Sequence, residues 1–229
     1  MNILAFDTCL GAVSAAVRWR SPRGEWLLRE QYEPCTTGHA ERLFPMIAEV
    51  MEGAGLAFAA VDRIAVTLGP GTFTGVRSGI AAARAFALAT GKPAVGMSSL
   101  AVMALRVESL VAARRGGRPL AIAVDARRGM VYFQLFTGDL EEAGPPRLLT
   151  PEQAAALVGS EPAFVAGSGA ATVASLAGPS AEASLPDLQP HARMLAMIAP
   201  ALQPLEPVAP LYLREPDAKP SASPSLVRP

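Results

Sequence analysis

The sequence has few cysteines and histidines, and this scarcity limits the kinds of site that the chain can build. It contains Cys9, Cys35, His39 and His191, and it has no Cys-x-x-Cys pair. Two cysteines cannot supply the disulfide framework of a small secreted domain, and free thiols are typical of a reducing compartment. A structural zinc site usually takes four Cys or His ligands. The sequence therefore predicts two free thiols and no metal site.

Charge is also scarce and balanced. Charged residues make up 17% of the chain, and 20 basic residues offset 20 acidic ones, for a net charge of +0. This excludes a polycation that coats nucleic acid or membranes by bulk charge, although it leaves room for a local basic patch. No apolar run reaches the roughly 18 residues of a membrane helix. The N-terminus lacks a basic region and has Asp7 where a signal peptide is apolar, so we expect a cytoplasmic protein.

The 229 residues, 51% of them hydrophobic, are enough for one large domain or two small ones. Apolar runs and turn signals predict three strands and then helices that alternate with strands. The elements expected first are strands at 2–8, 12–19, 26–31, 63–67 and 93–97, and helices at 39–51, ended by Gly53 and Gly55, and at 73–90. A further helix is expected after the last of these strands. This order is that of ribonuclease H-like, sugar kinase-like and actin-like domains.

A second unit begins near residue 120, where an apolar run ending in Asp125 repeats the pattern of residues 3–7. Its expected parts are a hairpin strand at 130–136, a strand at 163–167 and a helix at 192–202. We therefore predict an actin-like α/β fold of two lobes, the second reduced. The predicted domains are an N-terminal lobe at 1–113, a C-terminal lobe at 119–215, and a disordered Pro- and Ser-rich tail at 216–229.

Asp7 and Thr8 follow the first strand, where this architecture has a carboxylate and a phosphate-binding turn, and Asp125 is the counterpart in the second lobe. An Asp at this position is as often a simple turn former. A nuclease would need another acid after the strand at 63–67, and none follows there. A kinase would need small residues beside Asp125, whereas Arg127 and Arg128 follow it. Both enzyme classes are thus weakly supported.

The most distinctive segment is the glycine-rich stretch at 69–79, which runs into the second helix. It lacks the lysine of a P-loop, so phosphate binding of that kind is excluded. Gly75 and Gly79 lie four residues apart on one helical face, which indicates close packing against a neighbour. That neighbour is either the helix that begins at His39 or another protein chain.

Several motifs in this order resemble the TsaB (YeaZ) family, whose members act in making N6-threonylcarbamoyladenosine in bacterial tRNA. The motifs are Asp7-Thr8, His39-Ala40-Glu41-Arg42-Leu43-Phe44-Pro45, Gly69 to Arg77, Asp125 to Gly129, and Tyr212-Leu213-Arg214. The catalytic relatives, TsaD, carry a His-x-x-x-His metal site, and this chain has Ser99 and Met103 at those positions. It also departs from the TsaB pattern at Cys9, where the family usually has Ser, and at Met130, where the family usually has an acid.

The resemblance implies a subunit without catalytic activity of its own that binds and stabilises TsaD, with the ATPase TsaE joining them. The assembly transfers a threonylcarbamoyl group to the adenosine 3′ of the anticodon in tRNAs that read codons starting with A, so contact with tRNA is expected to be indirect. Pairing with TsaD, or with a second copy as a homodimer, is expected through the first two helices. The implied partner-binding residues are His39, Leu43, Ile47, Val50, Gly75, Val76, Gly79, Ala82, Ala83 and Phe86.

Under this interpretation Asp7 and Thr8 form a vestigial phosphate turn. No cofactor is expected, except that a nucleotide could bind at an interface of the complex. The alternatives from the enzyme class are an ATP-dependent phosphotransferase of the sugar kinase type and a glycoprotease-like peptidase.

Overall fold

A computed structural model describes residues 1–214. The predicted disordered tail, 216–229, lies outside this range. The chain forms two five-stranded sheets. The strands of the first sheet are β1 (Ile3–Asp7), β2 (Ala12–Arg20), β3 (Trp26–Pro34), β4 (Arg63–Thr67) and β5 (Ala94–Met97). The strands of the second are β6 (Leu120–Asp125), β7 (Val131–Phe136), β8 (Arg147–Leu149), β9 (Ala163–Ala166) and β10 (Ala181–Ser184).

Both sheets have the same topology. The first sheet has the order β3-β2-β1-β4-β5, and the second has the equivalent order β8-β7-β6-β9-β10. In each sheet, the three strands that come first in sequence pair antiparallel, and the other two join in parallel. The predicted two-lobed α/β fold is therefore confirmed. The reduction of the second lobe lies in its helices, because its sheet has the full five strands.

The described helices fall into two groups by length. The long ones are α1 (His39–Ala54), α2 (Phe73–Thr90) and α3 (Ser99–Arg115), and the short ones are α4 (Pro151–Val158), α5 (Ala170–Ala177) and α6 (Ala192–Ile198). Helix α1 runs through Gly53 and ends at Ala54, where the left-handed conformation of Gly55 caps it. The expected end at residue 51 was wrong because an exposed glycine costs a helix only about 1 kcal/mol. No helix within residues 1–214 is long and apolar enough to cross a membrane.

Two helices pack across the predicted boundary between the lobes. Helix α3 comes from the N-terminal half, yet Leu100 and Val107 pack with Ile122 and Phe164 of the second sheet. Helix α6 was predicted to complete the second lobe. It packs instead on the first sheet, on the face opposite α1 and α2, through the buried cluster of Ile3, Ala5, Ala16, Ala65, Val95, Val102, Ala192, Leu195, Ala196 and Ala199. Each lobe is thus completed by a helix from the other half of the chain.

Candidate functional site

Asp7 ends β1 inside the protein, with no exposed surface. Its Oδ1 accepts hydrogen bonds from the Thr67 hydroxyl and from the backbone N–H of Cys9, the latter at 3.2 Å. Its Oδ2 has no hydrogen-bond partner within residues 1–214. Burial raises the pKa of this carboxyl, because removal from water penalises the charged form more than the hydrogen bonds favour it. The carboxyl is therefore not accessible to solvent or to a ligand at the protein surface.

The glycine-rich loop covers the turn that follows Asp7. The Thr8 hydroxyl donates to the carbonyl of Gly75 at 2.6 Å, and the Thr72 N–H donates to the carbonyl of Cys9 at 2.7 Å. A Cβ on Gly75 would lie 2.6 Å from Thr72 Oγ1 and closer still to the Thr8 carbonyl oxygen. The loop approaches this turn so closely that only glycine fits. Close packing is therefore the role of this glycine, and its neighbour is the end of β1 rather than another helix.

The corresponding turn of the second lobe is open. The Asp125 carboxylate is exposed and accepts a 2.7 Å hydrogen bond from the backbone N–H of Arg127. The backbone N–H of Asp125 donates to Ser168 Oγ at 2.9 Å. Arg127 and Arg128 both have left-handed backbone conformations, with φ of 62° and 55°. The turn therefore holds its carboxylate by local hydrogen bonds and has no glycine beside Asp125 to let a phosphate approach the backbone.

A cavity of about 560 Å³ lies where the two lobes meet, a volume within the range of small-molecule sites. It is lined by Leu10, Pro70, Gly71, Thr72, Phe73, Asp125, Ala126, Arg127, Tyr132, Leu211, Tyr212, Leu213 and Arg214. Burial raises the pKa of Tyr132, and nearby Arg214 opposes this rise only in part. Asp125 reaches this space, whereas Asp7 and Thr8 do not. The turns after Asp7 and Asp125, which the sequence pattern makes counterparts, therefore differ in their access to the cavity.

A cluster of Arg77, Phe73 and Tyr212 was missed by sequence reasoning, and its two aromatic residues line the cavity. The Arg77 guanidinium lies 3.6 Å from the centroid of the Phe73 ring, and its Nε donates to the Tyr212 hydroxyl at 2.9 Å. Phe73 and Tyr212 stack with centroids 5.9 Å apart. The four-residue spacing of Phe73 and Arg77 was visible in the sequence, but their meeting with Tyr212 joins the end of the described chain to α2. Only the fold reveals it.

Nine of the ten predicted partner-binding residues are buried in their own lobe. Leu43, Ile47 and Val50 of α1 pack into the core of the first lobe. Val76, Ala82 and Ala83 of α2 enter the same core, and Gly75 and Gly79 face Thr8. His39 is also buried, with Nε2 2.8 Å from the carbonyl of Leu10. Phe86 alone is partly exposed. A partner could reach these two helices only through Phe86 and side chains outside the predicted set, so the residue assignment stays a prediction.

An exposed aromatic patch is made of Phe44 on α1, Phe86 on α2 and Phe58 in the short 3-10 turn at Phe58–Ala60. Phe44 is 53% exposed and Phe58 38% exposed, and their ring centroids lie 5.9 Å and 5.4 Å from that of Phe86. The two helices also carry exposed alanines, namely Ala40, Ala48, Ala81, Ala85 and Ala89. A connected group of apolar side chains on a protein surface is typical of a binding face.

The positions compared with the metal site of TsaD are also buried. Ser99 donates through its hydroxyl to the carbonyl of Pro70 at 2.6 Å, and Met103 lies in the core of the second lobe. Within residues 1–214 no three His, Cys, Asp or Glu side chains are grouped so that they could hold a metal ion. Burial raises the pKa of Cys9 well above its usual value, so this thiol is a structural one.

Comparisons with known proteins give a consistent result. The family model described as TsaD, tRNA N6-adenosine threonylcarbamoyltransferase, matches residues 33–173. An uncharacterized protein of Mycobacterium tuberculosis is 34% identical over 96% of this chain and 95% of its own length. TsaB of Escherichia coli, named a tRNA threonylcarbamoyladenosine biosynthesis protein, is 33% identical over 139 residues. That match covers 61% of this chain and 56% of the E. coli protein.

The structure of YeaZ from Pseudomonas aeruginosa superimposes with a TM-score of 0.78 at 33% identity. The match covers 93% of this chain and 99% of that one. The agreement extends through both lobes, so it is not limited to the segment shared with TsaD. Together with the match to E. coli TsaB, it shows that this chain belongs to the TsaB (YeaZ) family.

Proposed function

We propose that this chain is a non-catalytic subunit that binds and stabilises TsaD for threonylcarbamoyl transfer to tRNA. Membership of the TsaB family supports a role in tRNA threonylcarbamoyladenosine biosynthesis. In this proposal TsaD carries the chemistry and TsaE joins the pair. A homodimer through the same face forms when TsaD is absent. No cofactor is assigned to the isolated chain, and a nucleotide would bind only at an interface of the complex.

The observation that carries the proposal is the aromatic patch of Phe44, Phe58 and Phe86. Phe44 and Phe58 expose large apolar rings that both contact the ring of Phe86. Burial of one such ring contributes about 1.5–3 kcal/mol. Aromatic anchors of this kind commonly dominate the binding energy of an interface. The patch therefore fits a protein partner that covers the outer face of the first two helices.

The same structure supports a role without catalysis in this chain. Asp7 is buried, and the backbone of the turn after it is occupied by the glycine-rich loop. A sugar kinase-type phosphotransferase would also need small residues beside the carboxylate that reaches the cavity, whereas Arg127 and Arg128 follow Asp125. A glycoprotease-like peptidase would need the histidine pair that Ser99 and Met103 replace.

The experiment is a binding titration of TsaD with wild-type protein and with Phe44→Asp. This change removes an exposed ring and places a charge in the proposed interface, so we expect affinity to fall by about 30-fold or more, since hot-spot residues contribute about 2 kcal/mol or more. Leu176→Asp is the matched control, because Leu176 is 49% exposed on α5 of the second lobe. Circular dichroism and thermal melting verify that both variants fold.

Unchanged affinity of Phe44→Asp for TsaD, with Leu176→Asp also unchanged, would contradict this choice of interface. Equal losses for both variants would also contradict it, because the effect would not be specific to the aromatic patch.

A further inference from the structure

The β2–β3 hairpin carries a concentration of positive charge that the rest of the chain balances. Residues 18–29 contain four arginines and one glutamate, a net charge of +3 (4 − 1), in a chain whose 20 basic and 20 acidic residues cancel. The arginines are Arg18, Arg20, Arg23 and Arg29. None of them forms an ion pair with a carboxylate within residues 1–214. This charge is therefore available to an anionic partner.

The end of the hairpin lies beyond the strand beside it. The ladder between β1 and β2 ends where Ile3 pairs with Arg18, whereas the ladder between β2 and β3 continues to the pair of Arg20 and Trp26. Arg23 is exposed in the connecting turn. The Nε of Arg20 donates to the carbonyl of Gly24 at 2.9 Å, which fixes the turn. The tip is thus an ordered ribbon at the edge of the sheet.

A tryptophan lies among these arginines. Arg18 and Arg20 are two residues apart on β2 and so point to the same face of the sheet, which is also the face of Trp26. The guanidinium carbon of Arg18 lies 4.0 Å from the centroid of the Trp26 ring, and that of Arg20 lies 5.8 Å away. The ring is still 46% exposed. The arginines hold the indole in place while nearly half of its surface remains available for stacking.

We propose that this hairpin tip, formed by Arg18, Arg20, Arg23 and Trp26, binds RNA directly. Guanidinium groups neutralise phosphates, and an exposed aromatic ring stacks on an unpaired base, the combination by which proteins bind single-stranded nucleic acid. The proposal rests on the proposed function for the identity of the RNA, which is the tRNA that the complex modifies. Contact with tRNA would then be direct, in place of the indirect contact that the sequence predicted.

An anionic membrane is the other polyanion that such charge could attract. Insertion into a membrane needs a continuous apolar surface. Here Trp26 and its exposed neighbour Leu27 point to opposite faces of the hairpin, because successive residues of a strand alternate. Only one ring therefore lies on the arginine face, and this arrangement favours a base over a lipid bilayer.

The test measures fluorescence anisotropy of a labelled, unmodified tRNA transcript, with the full chain alone and with its complex with TsaD. Relative to wild type, the triple variant Arg18→Gln, Arg20→Gln, Arg23→Gln should raise Kd at least tenfold. It should also flatten the plot of log Kd against log salt by about two, because each lost phosphate contact removes about 0.7–0.9. Trp26→Ala should raise Kd by about fivefold or more.

Arg147→Gln is the matched control, because Arg147 is exposed on β8 of the other lobe. Its Kd and salt slope should equal those of wild type. The proposal is overturned if the triple variant binds tRNA like this control, or if wild type binds no tRNA in either form. It is also overturned if the triple variant loses binding only to vesicles of 70% phosphatidylcholine and 30% phosphatidylserine.

Failure here is distinguishable from failure of the proposed function. If the triple variant pairs with TsaD and supports full tRNA modification with unchanged tRNA affinity, the hairpin proposal is wrong and the subunit role stands. If omission of the whole chain leaves modification unchanged, the subunit role is wrong, and RNA binding by the hairpin is still measured by anisotropy.

Discussion

Replacing Gly75 by alanine should destabilise the protein, although Ala is the better helix former. The added Cβ would lie 2.6 Å from Thr72 Oγ1 and nearer to the Thr8 carbonyl oxygen, whereas Cβ atoms essentially never approach closer than 3.0 Å. Relief requires α2 to move away from the end of β1, which breaks the buried hydrogen bond from Thr8 Oγ1 to the Gly75 carbonyl. Overpacking costs about 1–3 kcal/mol and an unpaired buried group about 1–3 kcal/mol.

Helix propensity returns about 1 kcal/mol, so the net loss for Gly75→Ala should be about 1–5 kcal/mol. For a chain of this length that lowers Tm by about 2–20 °C. Gly53→Ala is the matched control in α1, because the atoms nearest to its new Cβ belong to the end of the flexible Arg29 side chain rather than to backbone. It should be neutral or stabilising by up to about 1 kcal/mol.

Urea denaturation and thermal melting of both variants provide the measurement. If Gly75→Ala is as stable as wild type or Gly53→Ala, the glycine-rich loop does not serve close packing, and the reasoning is refuted.

Two further predictions concern buried polar groups. Burial raises the pKa of Asp7 above its value in the unfolded chain. The wild type should therefore lose stability relative to Asp7→Asn as pH rises from about 4 through that raised pKa. If urea denaturation shows the same pH dependence of stability for both proteins between about pH 4 and pH 8, this prediction is refuted. The buried Arg115 guanidinium donates to Glu108 at 2.8 Å and to the carbonyls of Arg118 and Gly138 at 2.6 and 2.9 Å. Arg115→Leu removes these hydrogen bonds and should lower the free energy of unfolding by about 3 kcal/mol. A loss under about 1 kcal/mol in urea denaturation would contradict a stabilising role for Arg115.

Local patterns in the sequence predicted the elements of the first lobe well, whereas they gave no prediction for β8, β10, α4 and α5 of the second lobe. The predicted ranges 63–67 and 73–90 match β4 and α2. These elements were predictable because their signals are local: β4 is an apolar run bounded by turn residues, and α2 is capped by Thr72 and Gly91. The same reasoning identified Asp7 and Asp125 as repeated strand ends. It could not foresee that one is sealed and the other open, since access depends on where the glycine-rich loop packs.

The predicted partner face shows the limit of such reasoning more clearly. The periodic apolar residues of α1, such as Leu43 and Ile47, were assigned to a partner, yet a periodic stripe first serves the core of its own lobe. The exposed ring of Phe44 falls off that stripe and so gave no signal. Likewise, pairing along the β2–β3 hairpin brings Trp26 beside Arg18, eight residues away, and only strand register reveals that contact.

The most direct test of the central claim is threonylcarbamoylation of a tRNA transcript by TsaD, TsaE and threonylcarbamoyl-adenylate, with and without this chain. A further sample contains this chain alone. The subunit role predicts strong modification only when the chain is present with TsaD, and none from the chain alone. Modification that is unchanged when the chain is omitted, or that the chain performs by itself, would contradict the account.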